Sequence, residues 1–207
     1  MGQTLGPGIV TDGLLVYWDF GNRKSFSSST ATIVHDISNN NIDGNLFYNS
    51  PVFDSNNLGS MTFYGLSGSV MQTINGNNLS TQNPLSFCAM VKRIIAVNSY
   101  NMFMGMGSLP YFCFRSDNTF MTSMIIGGSQ QSLTTTPKTY LNNVWYYYCA
   151  TYNNDGTGMK IYINGSLVAQ NTVTGVSTYS STKTCIGGRG QADFLSNKRT
   201  CCKHTLV

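Results

Sequence analysis

Short apolar runs, each closed by Gly, Asn, Asp or Pro, recur from Leu14 to Val168, and no stretch spaces its apolar residues as a helix would. A chain of this kind buries its apolar side chains by pairing strands. The sharpest local signal is Asn164-Gly165 between Lys-Ile-Tyr-Ile and Ser-Leu-Val-Ala. A two-residue type I′ turn needs positive φ at both central positions, and Asn and Gly accept it most readily, so the spacing predicts a tight hairpin.

The runs read in order as strands. Leu14 to Trp18 is the first, followed by a polar stretch from Asp19 to Ser29 and a loop carrying Asn39-Asn40-Asn41 and Asp43-Gly44. Ser60 to Tyr64 and Val70 to Thr73 are joined through Gly65 to Gly68. Leu85 to Val91 alternates, with Leu85, Phe87, Ala89 and Val91 on one face and Ser86, Cys88 and Met90 on the other; both faces are largely apolar, which predicts a central strand. Met102 to Met106, Tyr111 to Phe114 and Thr119 to Ile126 follow, divided by Pro110 and by Asp117-Asn118. Val144 to Thr151 is the strongest run, and Asn154-Asp155-Gly156 turns it toward Met159 to Ile163. Ten or more such strands need a second sheet or a barrel to cover their apolar faces. No internal repeat and no proline-rich linker divides the chain, so the expectation is a single all-β domain built as a two-sheet antiparallel sandwich.

Composition narrows the function. Only 10% of residues are charged, against about 25% in an average soluble domain. All eight acidic residues are Asp, so no Glu is available as nucleophile or general acid. The closest Asp pairs, Asp12 with Asp19 and Asp36 with Asp43, lie in or near turns. His35 sits beside Asp36 in a polar loop and His204 near the C-terminus, and no strained nucleophile turn accompanies either. The expectation is a protein that is not an enzyme.

The net charge of +4 is scattered apart from the end, where Lys198, Arg199 and Lys203 outweigh Asp193; no basic run with interleaved aromatics points to nucleic acid. No basic start precedes an apolar core as in a secretory signal, the myristoylation pattern fails at its sixth position, and no apolar stretch is long enough to cross a bilayer. Synthesis in a cytoplasm is the default expectation, and no membrane partner is expected. Cys88, Cys113, Cys149, Cys185, Cys201 and Cys202 lack zinc-site spacing and are expected as reduced thiols, four of them inside apolar runs.

At this point the residues resemble a family. Asp12 to Asn22, then Arg23-Lys24-Ser25-Phe26, is similar to the opening "DGLVLYLDAGN" of laminin-G-like, concanavalin A-like domains found in phage structural proteins. His35 to Asn41 with Asp43-Gly44, Ser60 to Gly65, Leu85 to Lys92, Asn143 to Tyr152, Met159 to Val168 and Cys185 to Gly190 resemble the family's later segments in the same order. The resemblance implies a jelly-roll sandwich over residues 1–190. It also implies a virion-associated structural or binding protein, a capsid decoration or a tail or fibre component assembled in a host cytoplasm. Its partners would be other virion proteins or copies of itself. The alternative is a lectin module that recognises host glycans on a cell surface.

Three departures stand out. Tyr64 and Met90 replace a usual Asp and Trp, and residues 191–207 do not read as the family's long closing strand. Only Thr205-Leu206-Val207 looks strand-like there. The expectation is an atypical tail at 191–207 and an open sheet edge beside residues 14–18, a template for self-association. Relatives on this fold bind calcium at the sandwich rim. The candidates here are Asp19 with Asn22, and Asp155 with Asn153 and Asn154, both of which ordinary turn chemistry also accounts for. No other metal or cofactor residue stands out, and the sequence assigns no carbohydrate-binding residue.

Overall fold

A computed structural model describes residues 12–47, 51–56, 59–63, 70–74, 84–94, 100–106, 109–136, 140–178 and 183–188, and the backbone of 200–203. Its strands in chain order are β1 (Ile33–Val34), β2 (Gly44–Phe47), β3 (Val52–Asp54), β4 (Ser60–Phe63), β5 (Val70–Thr73), β6 (Leu85–Lys92), β7 (Tyr100–Gly105) and β8 (Tyr111–Arg115). They continue with β9 (Phe120–Ile126), β10 (Ser129–Thr134), β11 (Trp145–Asn153), β12 (Gly158–Ile163), β13 (Ser166–Gln170), β14 (Ser177–Thr178), β15 (Cys185–Ile186) and β16 (Thr200–Lys203). Among the described residues these form a nine-stranded sheet, β1-β2-β5-β15-β7-β8-β9-β10 with β14 on β9, and a seven-stranded sheet, β13-β12-β11-β6-β16-β4-β3. Neighbouring strands pair antiparallel throughout, including β6 with β11 and β9 with β10. The all-β two-sheet sandwich expected from the runs is the fold.

The alternation in the strongest run places its two faces. Tyr146, Tyr148, Ala150 and Tyr152 of β11 are buried, and Trp145, Tyr147, Cys149 and Thr151 are half-buried on the outward face. Inside the sandwich Tyr148 meets Phe103 at 4.9 Å between ring centroids, and Phe87 meets Phe112 at 4.7 Å, so aromatic rings bridge the two sheets. The Tyr148 hydroxyl shares a hydrogen bond with the Thr122 hydroxyl, which satisfies a polar atom that would otherwise be stranded in the core. Asn164 and Gly165 have φ of 51° and 80°, and Ile163 pairs with Ser166, so the hairpin forms as its sequence dictates.

Three expectations are corrected, and one strand goes unread. Residues 14–18 form no strand in either sheet. Their polar groups go to a loop instead: the Tyr17 amide donates to Asp36 Oδ1 (2.9 Å), the Ile37 amide to the Tyr17 carbonyl (3.0 Å), and Asn40 Nδ2 to the carbonyls of Leu14 (2.9 Å) and Leu15 (3.0 Å). The segment after Gly190 does supply a strand. β16 lies between β4 and β6, with Cys201 opposite both Thr62 and Lys92. The open edge expected beside residues 14–18 presupposed a strand there; β16 is paired on both sides elsewhere in the sheet, because backbone pairing asks little of side-chain alternation. Cys88 and Cys149, expected as reduced thiols, are joined as a disulfide; the β6–β11 register sets them directly opposite, with 4.0 Å between Cα atoms. Finally, β10 goes unread in the sequence, because Ser-Gln-Gln-Ser-Leu-Thr is an edge strand with one buried side chain, Leu133.

Candidate functional site

The loop after residue 18 folds on its own polar side chains. Asp19 Oδ1 accepts from the Gly21 amide (2.9 Å), the Asn22 amide donates to the Asp19 carbonyl (3.0 Å), and Asn22 Oδ1 accepts from the Lys24 amide (3.0 Å). The Asn22 carbonyl then receives the amides of Ser25 and Phe26, turning Phe26 inward. Ser25, fully buried, ties the loop down by accepting from the Asp19 amide and donating to the His35 carbonyl at 2.6 Å.

Between this loop and the edge strand β3 lies an open groove of about 610 Å³, within the range of small-ligand sites. Phe20, Phe26 and Phe53 line it as an aromatic series, with centroids 6.0 Å apart for Phe20–Phe26 and 5.2 Å for Phe26–Phe53. Phe20 and Phe26 are buried and form the floor; Phe53 is half-buried. Ser27, Ser28, Ser29 and Ser55 add hydroxyls, and exposed Arg23 is the single charge among the described residues of the lining. One wall is fixed by close backbone approach. Gly59 has φ of 86°, and a Cβ there would stand 2.6 Å from Gly21 Cα.

Chemically, the groove can hold a small polar ligand with an apolar face. Rings take the apolar face and hydroxyls exchange hydrogen bonds with the polar edge. Among the described residues of its lining there is no carboxylate and so no acid–base pair.

The calcium candidates fall on two loops. Asp19 and Asn22 shape the groove wall, where Asp19 Oδ2 also accepts from the Tyr17 hydroxyl (3.2 Å). Asp155 lies in the turn from β11 to β12; its Oδ1 accepts from the Thr157 amide and hydroxyl, and its Oδ2 from Asn153 Nδ2. The Thr157 hydroxyl and amide hold the Asp155 carboxyl below the usual carboxylate range. Asn154 Oδ1 accepts from the Gly175 amide at 2.6 Å. Each set offers one carboxylate already engaged in a turn, whereas calcium takes six to eight oxygens, usually from several carboxylates. The residues present do not fit that ion.

His35 is half-exposed with Nδ1 2.9 Å from Asp43 Oδ2, while Asp43 Oδ1 accepts from the Asp36 amide. The Asp36–Asp43 pair is thus brought together, but as a loop brace. Met90 is half-buried on the outward face of β6, opposite Tyr147; Tyr64, His204 and Asp193 lie outside the described residues. Among the described residues no helix is long and apolar enough to cross a membrane.

The groove was not legible in the sequence, since its lining comes from two segments about thirty residues apart. A signal existed only in the clustering of Ser27, Ser28 and Ser29 between aromatic residues.

Three comparisons place the fold among known proteins. No curated protein matches the chain. Among solved structures, the receptor-binding domain of botulinum neurotoxin type G aligns at TM-score 0.65 and 13% identity, over 93% of this chain and 46% of that one. The binding domain of Paraclostridial Mosquitocidal Protein 1 aligns at 0.65 and 15%, over 95% and 48%. The ligand-binding domain of botulinum neurotoxin serotype D, solved in complex with N-acetylneuraminic acid, aligns at 0.68 and 15%, over 95% and 47%. The chain thus spans about half the length of these binding domains and shares their fold. A laminin-G-like sequence profile matches residues 65–198, more than half of the chain, and this protein therefore belongs to the concanavalin A-like lectin/glucanase superfamily.

Proposed function

We propose that the chain is a non-enzymatic binding module that recognises carbohydrate on a cell surface through the Phe20–Phe26–Phe53 groove. The observation that carries this reading is the groove itself, with an aromatic floor, serine hydroxyls on the rim and no carboxylate among the described residues of its lining. A sugar ring has an apolar C–H face and a polar edge, and the groove offers a complement to each. The absence of Glu and the engagement of Asp19, Asp36, Asp43 and Asp155 in turn bonds support a non-catalytic role. The serotype D neighbour's complex with N-acetylneuraminic acid is in keeping with a carbohydrate ligand.

The test is a glycan array with the parent and Phe53→Ala. Binding to a restricted set of glycans, lost in a variant that melts as the parent does, supports the reading. Equal binding by the variant, or release of reducing ends from laminarin or lichenan, would sink it.

A second reading concerns where the module works. The opening from Asp12 to Phe26 resembles phage structural proteins, and the sparse charge suits close packing among subunits. On that ground we infer a place on a virion, as a decoration, tail or fibre component contacting other virion proteins or copies of itself. Mass spectrometry of purified particles checks it; particles lacking the chain would exclude it.

A further inference from the structure

The outward face of the seven-stranded sheet is unusual for a sandwich, whose solvent faces are ordinarily polar. Along β11, Trp145, Tyr147, Cys149 and Thr151 point outward and are half-buried. The registers bring Lys92 and Met90 of β6 beside Trp145 and Tyr147, and Tyr162 and Lys160 of β12 beside Cys149 and Thr151. Leu167 of β13, 48% exposed, lies opposite Tyr162. Three aromatic side chains therefore occupy neighbouring outward positions, the first two roughly 7 Å apart by strand geometry.

Among the outward strand positions of β6, β11, β12 and β13 the charged residues are Lys92 and Lys160, while Asp155, in the turn from β11 to β12, acts on Lys160 from the end of the face. Lys92 Nζ lies 4.9 Å from the centre of the Trp145 ring, so the cation is held over an aromatic surface. Lys160 stands opposite Thr151, six residues along β11 from Trp145, which sets the two cations roughly 20 Å apart at the two ends of the aromatic row.

We propose that this face binds an extended anionic polysaccharide laid along β11, with sugar rings on Trp145, Tyr147 and Tyr162 and acidic groups at Lys92 and Lys160. An aromatic row between separated cations suits a linear chain with apolar ring faces and repeated negative charge. A second copy of this chain is a poor occupant, because the outward strand positions of either copy would bring two lysines and no carboxylate to the contact, leaving the turn residue Asp155 to counter them. The Tyr147 phenol, raised further by burial, is protonated at neutral pH and offers its hydroxyl as a hydrogen-bond donor to the ligand. The surface is separate from the groove, which lies at the β3 edge of the same sheet, beyond β16 and β4.

The experiment is affinity electrophoresis of the full chain through gels containing polygalacturonate, dextran sulfate or neutral dextran, with Kd taken from the retardation. Retardation by polygalacturonate, by dextran sulfate or by both, but not by dextran, is expected, and the arms tell a uronate from a sulfate. Lys92→Gln and Lys160→Gln should each weaken binding roughly fivefold. Tyr162→Phe should keep affinity and Tyr162→Ala should lower it, with melting temperatures verifying that each variant folds. Lys24→Gln, which removes a charge elsewhere, should leave Kd unchanged. The proposal is overturned by retardation in neutral dextran equal to that in the acidic gels, or by no retardation at all. It is equally overturned by a Lys24→Gln loss as large as that of Lys92→Gln, which would mark generic charge attraction. Loss of retardation in Phe53→Ala would place the ligand in the groove instead, and self-association through the face, abolished by Tyr162→Ala, would name a second copy as its occupant.

Discussion

The amide of Tyr17 donates to Oδ1 of Asp36 at 2.9 Å, and that contact joins two segments nineteen residues apart that form no strand pair. Asp36 is the hub of the junction. Its Oδ1 also accepts from the Ser38 amide (2.8 Å), and its Oδ2 from the Ser38 hydroxyl (2.8 Å) and the Ile42 amide (3.0 Å). Trp18, fully buried, is fixed from the same loop by the Ile42 carbonyl accepting from Nε1. One carboxylate thus replaces the ladder that an N-terminal strand would have made.

Asp36→Ala leaves four donors without this acceptor and is expected to cost on the order of 2–3 kcal/mol. Asp36→Asn retains one carbonyl oxygen and should fall between. Urea unfolding measures both. An alanine variant as stable as the parent would mean that the 12–18 segment is held by its apolar side chains alone.

Gly165 has open space around its missing Cβ, so a substitution there meets no clash and tests backbone conformation by itself. With φ at 80°, Gly165→Val is expected to cost roughly 1–2 kcal/mol. That corresponds to a fall of roughly 2–8 °C in melting temperature for a domain of this size. Gly165→Asn, which tolerates positive φ, should recover most of it. Calorimetry showing no difference between Val and Asn would contradict the turn type.

Arg93 is 1% exposed and forms no ion pair among the described residues, although Asp117 lies near enough to favour its charge. Its Nε donates to Asn142 Oδ1 (2.6 Å), Nη1 to the Arg115 carbonyl (2.9 Å), and Nη2 to Asn118 Oδ1 and the Tyr140 carbonyl (3.2 Å); the guanidinium lies over the Phe114 ring. Burial lowers its pKa, and neutral acceptors carry the charge that an ion pair would otherwise hold. Arg93→Met strands these acceptors and should cost about 3 kcal/mol or more. Arg93→Lys should restore only part, because one ammonium cannot reach all the positions of the planar fork. A methionine variant with parental stability would show that the loops close over the gap.

Cys113 and Cys185 are fully buried thiols outside the disulfide, and burial pushes the Cys185 thiol up to about 12. The thiolate is the reactive form, so alkylation of the folded protein at about pH 8 should leave both unmodified until denaturant is added. Peptide mapping without reductant should recover Cys88 linked to Cys149. Rapid native labelling of Cys185 would show that β15 opens, and free Cys88 would return this pair to the reduced state expected from sequence.

By itself the sequence determined the strand content, the sandwich class and the hairpin at Asn164-Gly165, because alternation and turn chemistry are local properties that a run of residues carries within itself. Val70–Thr73 was readable to the residue, and β6 was legible as central from its two apolar faces. Tertiary structure decided whatever depended on which segments meet. Residues 14–18 are apolar enough for a strand, yet Asp36 takes the amide that a neighbour would have paired. β16 has no apolar alternation, yet partners on both sides give it a place, since backbone groups pair whatever side chains they carry. The Cys88–Cys149 bond needed the β6–β11 register, the groove needed residues 20–29 beside β3, and the outward row needed Lys92 and Lys160 brought to either end of β11. Each is a coincidence in space between residues far apart in the chain, and a linear pattern holds no record of that distance until the sheets have set it.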